Sequence, residues 1–279
     1  MTITVRTCLR YGLLGRNVPR NDVPMSERST AVITGATSGI GLGFARLLAP
    51  THDLVLVARD RARLDQVATG LAPRTHVTVE SADLGIRDDV DRIASLIADR
   101  ADVLINNAGF GLRESFTQAS VEHEQQTIDV MVTAVMRLTH ACLPRMVQQN
   151  AGVVINVSSV AGWITSGTYS SAKAWVTNFS ESLNATYRGT GVNVTALCPG
   201  YVRTEFHQRM GVGMKGVPAW MWLDVDQVAS DAWRDAVKGK ATSVPSVRYR
   251  LLAQFLRIAP RSLVRKATAS RVRSALMSD

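Results

Sequence analysis

Thr30-Ala-Val-Ile33-Thr34-Gly35-Ala-Thr-Ser38-Gly39-Ile40-Gly41 is where the architecture of this chain first becomes readable. Thr30–Ile33 has the length and apolar character of a short buried strand, and it runs directly into glycine. The missing side chains at Gly35, Gly39 and Gly41 permit a tight turn and let the backbone approach a pyrophosphate closely. A helix starting near Ile40 would present its free N–H groups and partial positive charge to the same anion. Gly43 would let that helix pack on a sheet. The spacing, Gly-x-x-x-Gly-x-Gly, differs from the usual dinucleotide fingerprint G-x-G-x-x-G.

Outward from this turn the chain alternates. After the helix Ile40–Ala49 come a strand at Leu54–Val57, a helix at Arg61–Leu71 and a strand at Val77–Val79. A helix at Asp88–Asp99, a strand at Val103–Ile105, one long helix at Val121–Gln149 and a strand at Val153–Val157 follow. The helix carrying Tyr169 extends to about Tyr187. A strand at Val192–Leu197, an irregular stretch at Thr204–Leu223, a helix at Val225–Val237 and a short strand near Ser243–Val244 complete the series. Apolar strands alternating with helices predict a parallel sheet covered on both faces. Right-handed crossovers make it an α/β, doubly wound Rossmann fold, with its ligand crevice at the carboxyl ends of the strands.

With 279 residues, 46% of them hydrophobic, the chain can bury one large core, and no apolar run approaches the roughly 20 residues of a membrane span. The net charge of +9 is placed at the ends. Residues 1–28 carry five Arg against Asp22 and Glu27; residues 241–279 carry seven Arg and Lys266 against Asp279. The body between them is nearly neutral, so the excess says nothing about an anionic substrate cleft. Cys8, Cys142 and Cys198 have no CxxC spacing, and the five histidines form no metal-ligand pattern; buried thiols in a reducing, cytoplasmic compartment and no metal are expected. The expected layout is a disordered N-terminal extension over 1–28, a catalytic domain over 29–245 and a basic, amphipathic helical tail over 246–279. The extension lacks the apolar core of a secretory signal, and Met25 reads as a natural start.

The chemistry lies at the strand ends. The second strand closes in Ala58-Arg59-Asp60; a guanidinium there pairs with a 2′-phosphate, whereas an NAD site wants a carboxylate. Asn106-Asn107-Ala108-Gly109 closes the fourth strand, with small residues and amides suited to contact a cofactor and pin the neighbouring strand. In Thr168-Tyr169-Ser-Ser-Ala-Lys173 two polar groups sit one helical turn apart on one face. The ammonium of Lys173 is expected to lower the Tyr169 phenol from about 10 toward neutrality, making it a proton donor and acceptor.

These motifs, with Asn156-Val-Ser-Ser159 and Pro199-Gly200-Tyr-Val-Arg-Thr204, occur in the order TGxxxGxG, NNAG, N-x-S-S, YxxxK and PG-x-x-x-T. From about Thr30 to Val244 the chain resembles the short-chain dehydrogenase/reductase family. The resemblance implies that Gly35, Ser38, Gly39, Ile40 and Gly41 line the pyrophosphate and ribose of NADP(H). It sets Arg59 on the adenosine phosphate, Asp83 and Leu84 on the adenine, and Asn107, Ala108 and Gly109 on the adenosine ribose. Tyr169 and Lys173 would hold the nicotinamide ribose, while Pro199, Gly200, Val202 and Thr204 belong to the motif that anchors the carboxamide. It implies a catalytic Ser159 that hydrogen-bonds the developing alkoxide, with Tyr169 supplying the proton and Lys173 tuning it. A homo-oligomer is implied as well.

Two departures qualify the match. In Asp129-Val-Met131-Val-Thr133-Ala134 a thioether fills the slot of the family's usual Asn, and it cannot donate a hydrogen bond. An NADP(H)-binding regulatory or scaffold protein with weak or no catalysis therefore stands as the alternative, and a relay through water or Thr133 as the remedy. Ser159 and Tyr169 are ten positions apart, about three fewer than in many relatives, which predicts a tight intervening loop. Trp163, Phe206, Met210, Met214, Trp220 and Trp222 suggest a lid over a lipophilic ketone, aldehyde or alcohol. In the tail, Leu251, Leu252, Phe255 and Leu256 share a helical face opposite arginines, suiting either a peripheral contact with an anionic membrane or docking on the body or a sister subunit. Nothing resembles a nucleic-acid-binding module.

Overall fold

The alternation of short apolar strands and helices folds, in the computed structural model, into one sheet with helices on both faces; residues 28–111, 116–205 and 217–276 are described. In chain order these are β1 (Ser29–Thr34), α1 (Gly39–Leu48), β2 (His52–Ala58), α2 (Arg61–Leu71), β3 (Val77–Ser81) and α3 (Arg87–Ala98). Then come β4 (Ala101–Asn106), α4 (Val121–Ile128), α5 (Ala134–Gln148), β5 (Gly152–Val157), α6 (Gly167–Thr186) and β6 (Val192–Leu197). The chain continues through α7 (Val225–Val237), β7 (Thr242–Ser243), α8 (Val247–Ile258) and α9 (Arg261–Leu276). The expected N-terminal extension, apart from Arg28, and the lid residues Phe206, Met210 and Met214 lie outside the described residues, as does Cys8.

The strands pair in parallel in the order β3-β2-β1-β4-β5-β6-β7. The order reverses between β1 and β4, the point at which open α/β sheets form a ligand crevice at the carboxyl ends of their strands. Buried on both faces, β4 and β5 are enclosed along their whole length, which is why they read as unbroken apolar runs. One face is covered by α1, α2 and α7, whose Phe44, Leu48, Leu64 and Val228 pack on Ile33, Val103 and Ile155. The other is covered by α3, α5 and α6 through Ile93, Leu138 and Ala172. Each fully buried Leu, Ile or Val contributes about 1.5–3 kcal/mol, so these two layers hold the crevice rigid. Starts are set locally: Asp60, Ser120 and Asp224 accept backbone N–H bonds as caps of α2, α4 and α7.

Two expectations need correction. The long helix is not continuous: between α4 and α5, Asp129–Thr133 forms a π-helical turn, with the Ala134 N–H reaching Asp129 O. That wider turn swings Met131 fully into the interior. In the tail, α8 docks on the body, and of the uses left open for its apolar face, docking on the body is not made by Leu251 or Phe255. Tyr249 and Ala253 are buried, whereas Leu251 and Phe255 point to solvent. The cause lies 49 residues upstream, in the glycine of the Pro199-Gly200 turn: a Cβ on Gly200 would sit 2.0 Å from the Tyr249 ring. The Tyr249 hydroxyl accepts from Tyr201 N (3.1 Å) and donates to Met221 O (2.8 Å). Cys142 and Cys198 are buried free thiols, raised by burial to about 12 and about 11. Among the described residues no helix is long and apolar enough to cross a membrane.

Candidate active site

The near wall of the crevice is the turn after β1. Gly35 and Gly39 have φ of +64° and +52°, a region that disfavours side chains. Gly35 N donates to Val57 O at 2.8 Å, fastening the turn to the end of β2. A Cβ on Gly41 would lie 2.4 Å from Gly35 O, so α1 can begin only if that position is bare. Ser38, extended before α1, makes no side-chain cap, and the first turn holds no acid. The amides of Gly39, Ile40 and Gly41 are thus offered to an anion by a ten-residue helix.

Asn107 locks this turn to β4. Its Nδ2 donates to Thr34 O (2.9 Å) and Gly35 O (3.1 Å), while Thr34 Oγ1 accepts from the N–H groups of Asn107 (2.9 Å) and Ala108 (3.0 Å). The strand-pinning role expected of these amides is what the bonds show. Behind them Asn106 Nδ2 donates to Asn156 Oδ1 (2.8 Å), tying β4 to β5. A Cβ on Gly39 would stand 3.0 Å from Thr204 Cγ2, so the PG-x-x-x-T segment closes over the same turn.

The far wall comes from β5 and α6. Ser158 Oγ donates to Lys173 O (2.7 Å), a structural tie between strand and helix. Ser159 is the serine that faces the site: its Oγ accepts from Ala161 N (3.1 Å) and is hydrogen-bonded with Tyr169. The short loop after it winds into a 3₁₀ turn, Val160–Trp163, in which Gly162 packs directly on the backbone of Lys173. That contact accommodates a ten-residue spacing without displacing either Ser159 or Tyr169.

Lys173 is buried and donates from Nζ to Val157 O at 2.7 Å, with Nζ 5.7 Å from the centre of the Tyr169 ring. The phenol does not respond as the sequence predicts. Burial pushes Tyr169 up to about 12, with the Ser159 hydrogen bond pulling weakly the other way. Burial also lowers Lys173 to about 8, because its ammonium is poorly solvated there. Tyr169 is therefore a protonated phenol at neutral pH, and Lys173 is the group that titrates near it. Met131 meets the same spot: a Cβ on Gly109 would be 3.4 Å from Met131 Sδ and 3.7 Å from Lys173 Nζ. The Val157 carbonyl, not residue 131, holds the ammonium.

At the outer end of β2, three arginines differ in how far they are engaged. Arg61 pairs with Asp65 (3.0 Å), and Arg63 makes a two-point bridge to Glu205 (3.1 and 2.8 Å). Arg59 is exposed and approaches only Asp83, at 3.8 Å, among the described residues. Asp60 accepts from Arg63 N (3.0 Å) as the cap of α2, which turns it away from the role of a ribose-binding carboxylate. Asp83 accepts from Gly85 N, and the Leu84 side chain is buried in the core. Val202 is likewise buried; it bridges Leu223 through Tyr201 O and Arg203 N, so its own amide stays out of the ladder. Pro199 O accepts from Val160 N, joining the loop after β5 to the loop after β6.

Trp163, Trp220 and Trp222 lie on this side, and each carries a guanidinium over its ring: Arg257 at 4.9 Å, Arg248 at 5.5 Å and Arg203 at 5.9 Å. Two of these arginines belong to α8. The Gly200–Tyr249 contact and the Arg63–Glu205 bridge were not foreseeable from motifs, since partners 49 and 142 positions apart leave no short-range signal.

The sequence profile of the family described as short chain dehydrogenase matches residues 29–213. Among curated proteins, the very-long-chain 3-oxoacyl-CoA reductase of Anas platyrhynchos is 36% identical over 63% of this chain. The match spans 60% of that relative's length, less than two thirds. Sulfoacetaldehyde reductase 2 of Chromohalobacter salexigens is 35% identical over 76% of this chain and 84% of its own. Among solved structures, a short-chain dehydrogenase from Sphingobium yanoikuyae in complex with NADPH superposes with a TM-score of 0.75 at 31% identity, covering 90% of this chain and 96% of that one.

Proposed function

Because this chain belongs to the short-chain dehydrogenase/reductase family, we propose that it is an NADP(H)-dependent oxidoreductase interconverting a ketone or aldehyde and an alcohol. The observation that carries this reading is the convergence of Ser159, Tyr169 and Lys173 beside a glycine cradle that a single Cβ would fill. In the proposal Gly35, Ser38, Gly39, Ile40 and Gly41 take the pyrophosphate, and Asp83 and Leu84 border the adenine. Asn107, Ala108 and Gly109 border its ribose. Tyr169 and Lys173 hold the nicotinamide ribose, and Pro199, Gly200, Val202 and Thr204 border the carboxamide. Arg59, the least engaged guanidinium at the end of β2, takes the 2′-phosphate. When bound, the coenzyme supplies the hydride.

The protein's own part is proton handling. A phenol held near 12 keeps its proton at neutral pH, so Tyr169 Oη is a donor for the carbonyl oxygen, and Ser159 Oγ stabilises the charge developing there. Lys173, near 8, keeps positive charge beneath that phenol. This polarity suits carbonyl reduction. The three tryptophans suggest a lipophilic substrate body, and assembly as a homo-oligomer is part of the same proposal. One observation favours a second reading: Met131, fully buried beside Lys173, offers no donor where the family uses an amide, as in a coenzyme-binding regulator.

The deciding experiment follows oxidation of NADPH, beside NADH, across lipophilic ketones and aldehydes. Turnover with NADPH is expected, with kcat reduced about 100-fold or more in Tyr169→Phe, the usual scale of acid–base catalysis, and a much smaller loss of NADPH affinity from its ribose contact. Arg59→Ala should erase the preference for NADPH over NADH. Tight NADPH binding with no turnover across the panel would establish the regulatory reading instead.

A further inference from the structure

The tail helix α8 has two working faces. Tyr249 and Ala253 seat one against the body, and Arg257 bonds Glu181 (2.6 Å) while Arg261 of α9 donates to Trp163 O (3.2 Å). At 100° per residue, Val247, Leu251, Phe255 and Ile258 form a stripe almost opposite that seat. They are 61%, 63%, 67% and 83% exposed, and Leu263 at the start of α9 is itself 58% exposed. Exposed apolar side chains scattered singly need no partner, but an aligned row along a helix does.

We propose that this stripe rests on an anionic lipid surface. Charge selects the occupant: residues 236–278 contain no Asp or Glu, and Arg250 of α8 and Arg265 and Lys266 of α9 are exposed. Phosphate headgroups answer that charge while the acyl boundary takes the apolar row. A second copy of the same face would bring two strongly positive segments together. Residues 1–27, themselves net positive, meet the same repulsion. A nucleic-acid backbone would pair the arginines yet leave Phe255 and Ile258 in water. Because α8 is bound to the body by Tyr249, the lipid surface holds the whole molecule, with the Trp163 and Trp220 side of the site next to it.

The test uses the full chain and vesicles of phosphatidylcholine, with and without equal phosphatidylglycerol, at 50 and 500 mM salt. Flotation with the phosphatidylglycerol vesicles at low salt is expected, several-fold weaker at high salt. Leu251→Ser/Phe255→Ser, both at exposed positions, should lose flotation while retaining its thermal transition and NADPH binding. Absence of flotation at low salt, or equal flotation of the double variant, would overturn the proposal. So would a wild-type oligomer, seen by light scattering, that dissociates in the double variant, since a second copy would then own the stripe. None of these readouts depends on turnover, so the outcome stands apart from the catalytic reading.

Discussion

Lys173 sets the pH behaviour of the site. Its ammonium is lowered to about 8, whereas the Tyr169 phenol stays protonated until about 12. The donor is therefore present throughout the usual range, and what disappears with rising pH is the charge beneath it. Reduction should be flat from pH 6 to about 7.5, then fall toward about tenfold per unit above pH 8 as Lys173 deprotonates. Lys173→Arg, which does not titrate there, should carry no such limb, whatever its absolute rate. A limb near 8 that persists in Lys173→Arg would assign it to another group. The pairing itself was readable from sequence, because four positions on a helix fix a shared face. The direction of the phenol's shift was not. It depends on packing against the cluster around Met131 and Ala172, and desolvation there outweighs an ammonium already committed to the Val157 carbonyl.

At the scale of elements, the glycine turn is where sequence and geometry coincide, since Gly35 and Gly39 need positive φ and Gly41 needs an empty Cβ position. Adding a methyl at Gly41 would press on Gly35 O and on Asn107 Nδ2, 2.5 Å away, opening the turn and its tie to β4. Overpacking of this kind costs about 1–3 kcal/mol. Gly41→Ala should accordingly weaken NADPH binding by about ten- to a hundredfold, read by fluorescence titration, with a matching fall in Tm. Unchanged affinity would remove the turn from the coenzyme site. Strands and most helices were legible to within a few residues, because burial on two faces and local caps are written in adjacent residues. The π turn at Asp129–Thr133 was not: its i→i+5 bond leaves the apolar pattern of the long helix unbroken. Nor was the seat of α8. Its most apolar face was the natural choice for docking, and only the bare Gly200 surface explains why Tyr249 takes that place.

On the scale of the molecule, the question is whether the tail is a separate module or part of the catalytic body. Its composition, with no acid from 236 to 278, argues for separateness; its contacts argue for union. Tyr249 fills a space that Gly200 vacates, bonds both Tyr201 N and Met221 O, and so braces the segment following the Pro199-Gly200 turn. Arg248 and Arg257 lie over Trp220 and Trp163, in the segment before α7 and in the 3₁₀ turn after β5. Removing so large a buried aromatic costs about 3–5 kcal/mol. At about 2–4 °C per kcal/mol for large domains, Tyr249→Ala should lower Tm by roughly 10 °C in one cooperative transition. Truncation after Ser246 should do at least as much. If the tail were independent, the truncated chain would keep its Tm, or the full chain would melt in two steps. A single transition that falls with Tyr249 makes the basic tail a structural wall of the active site.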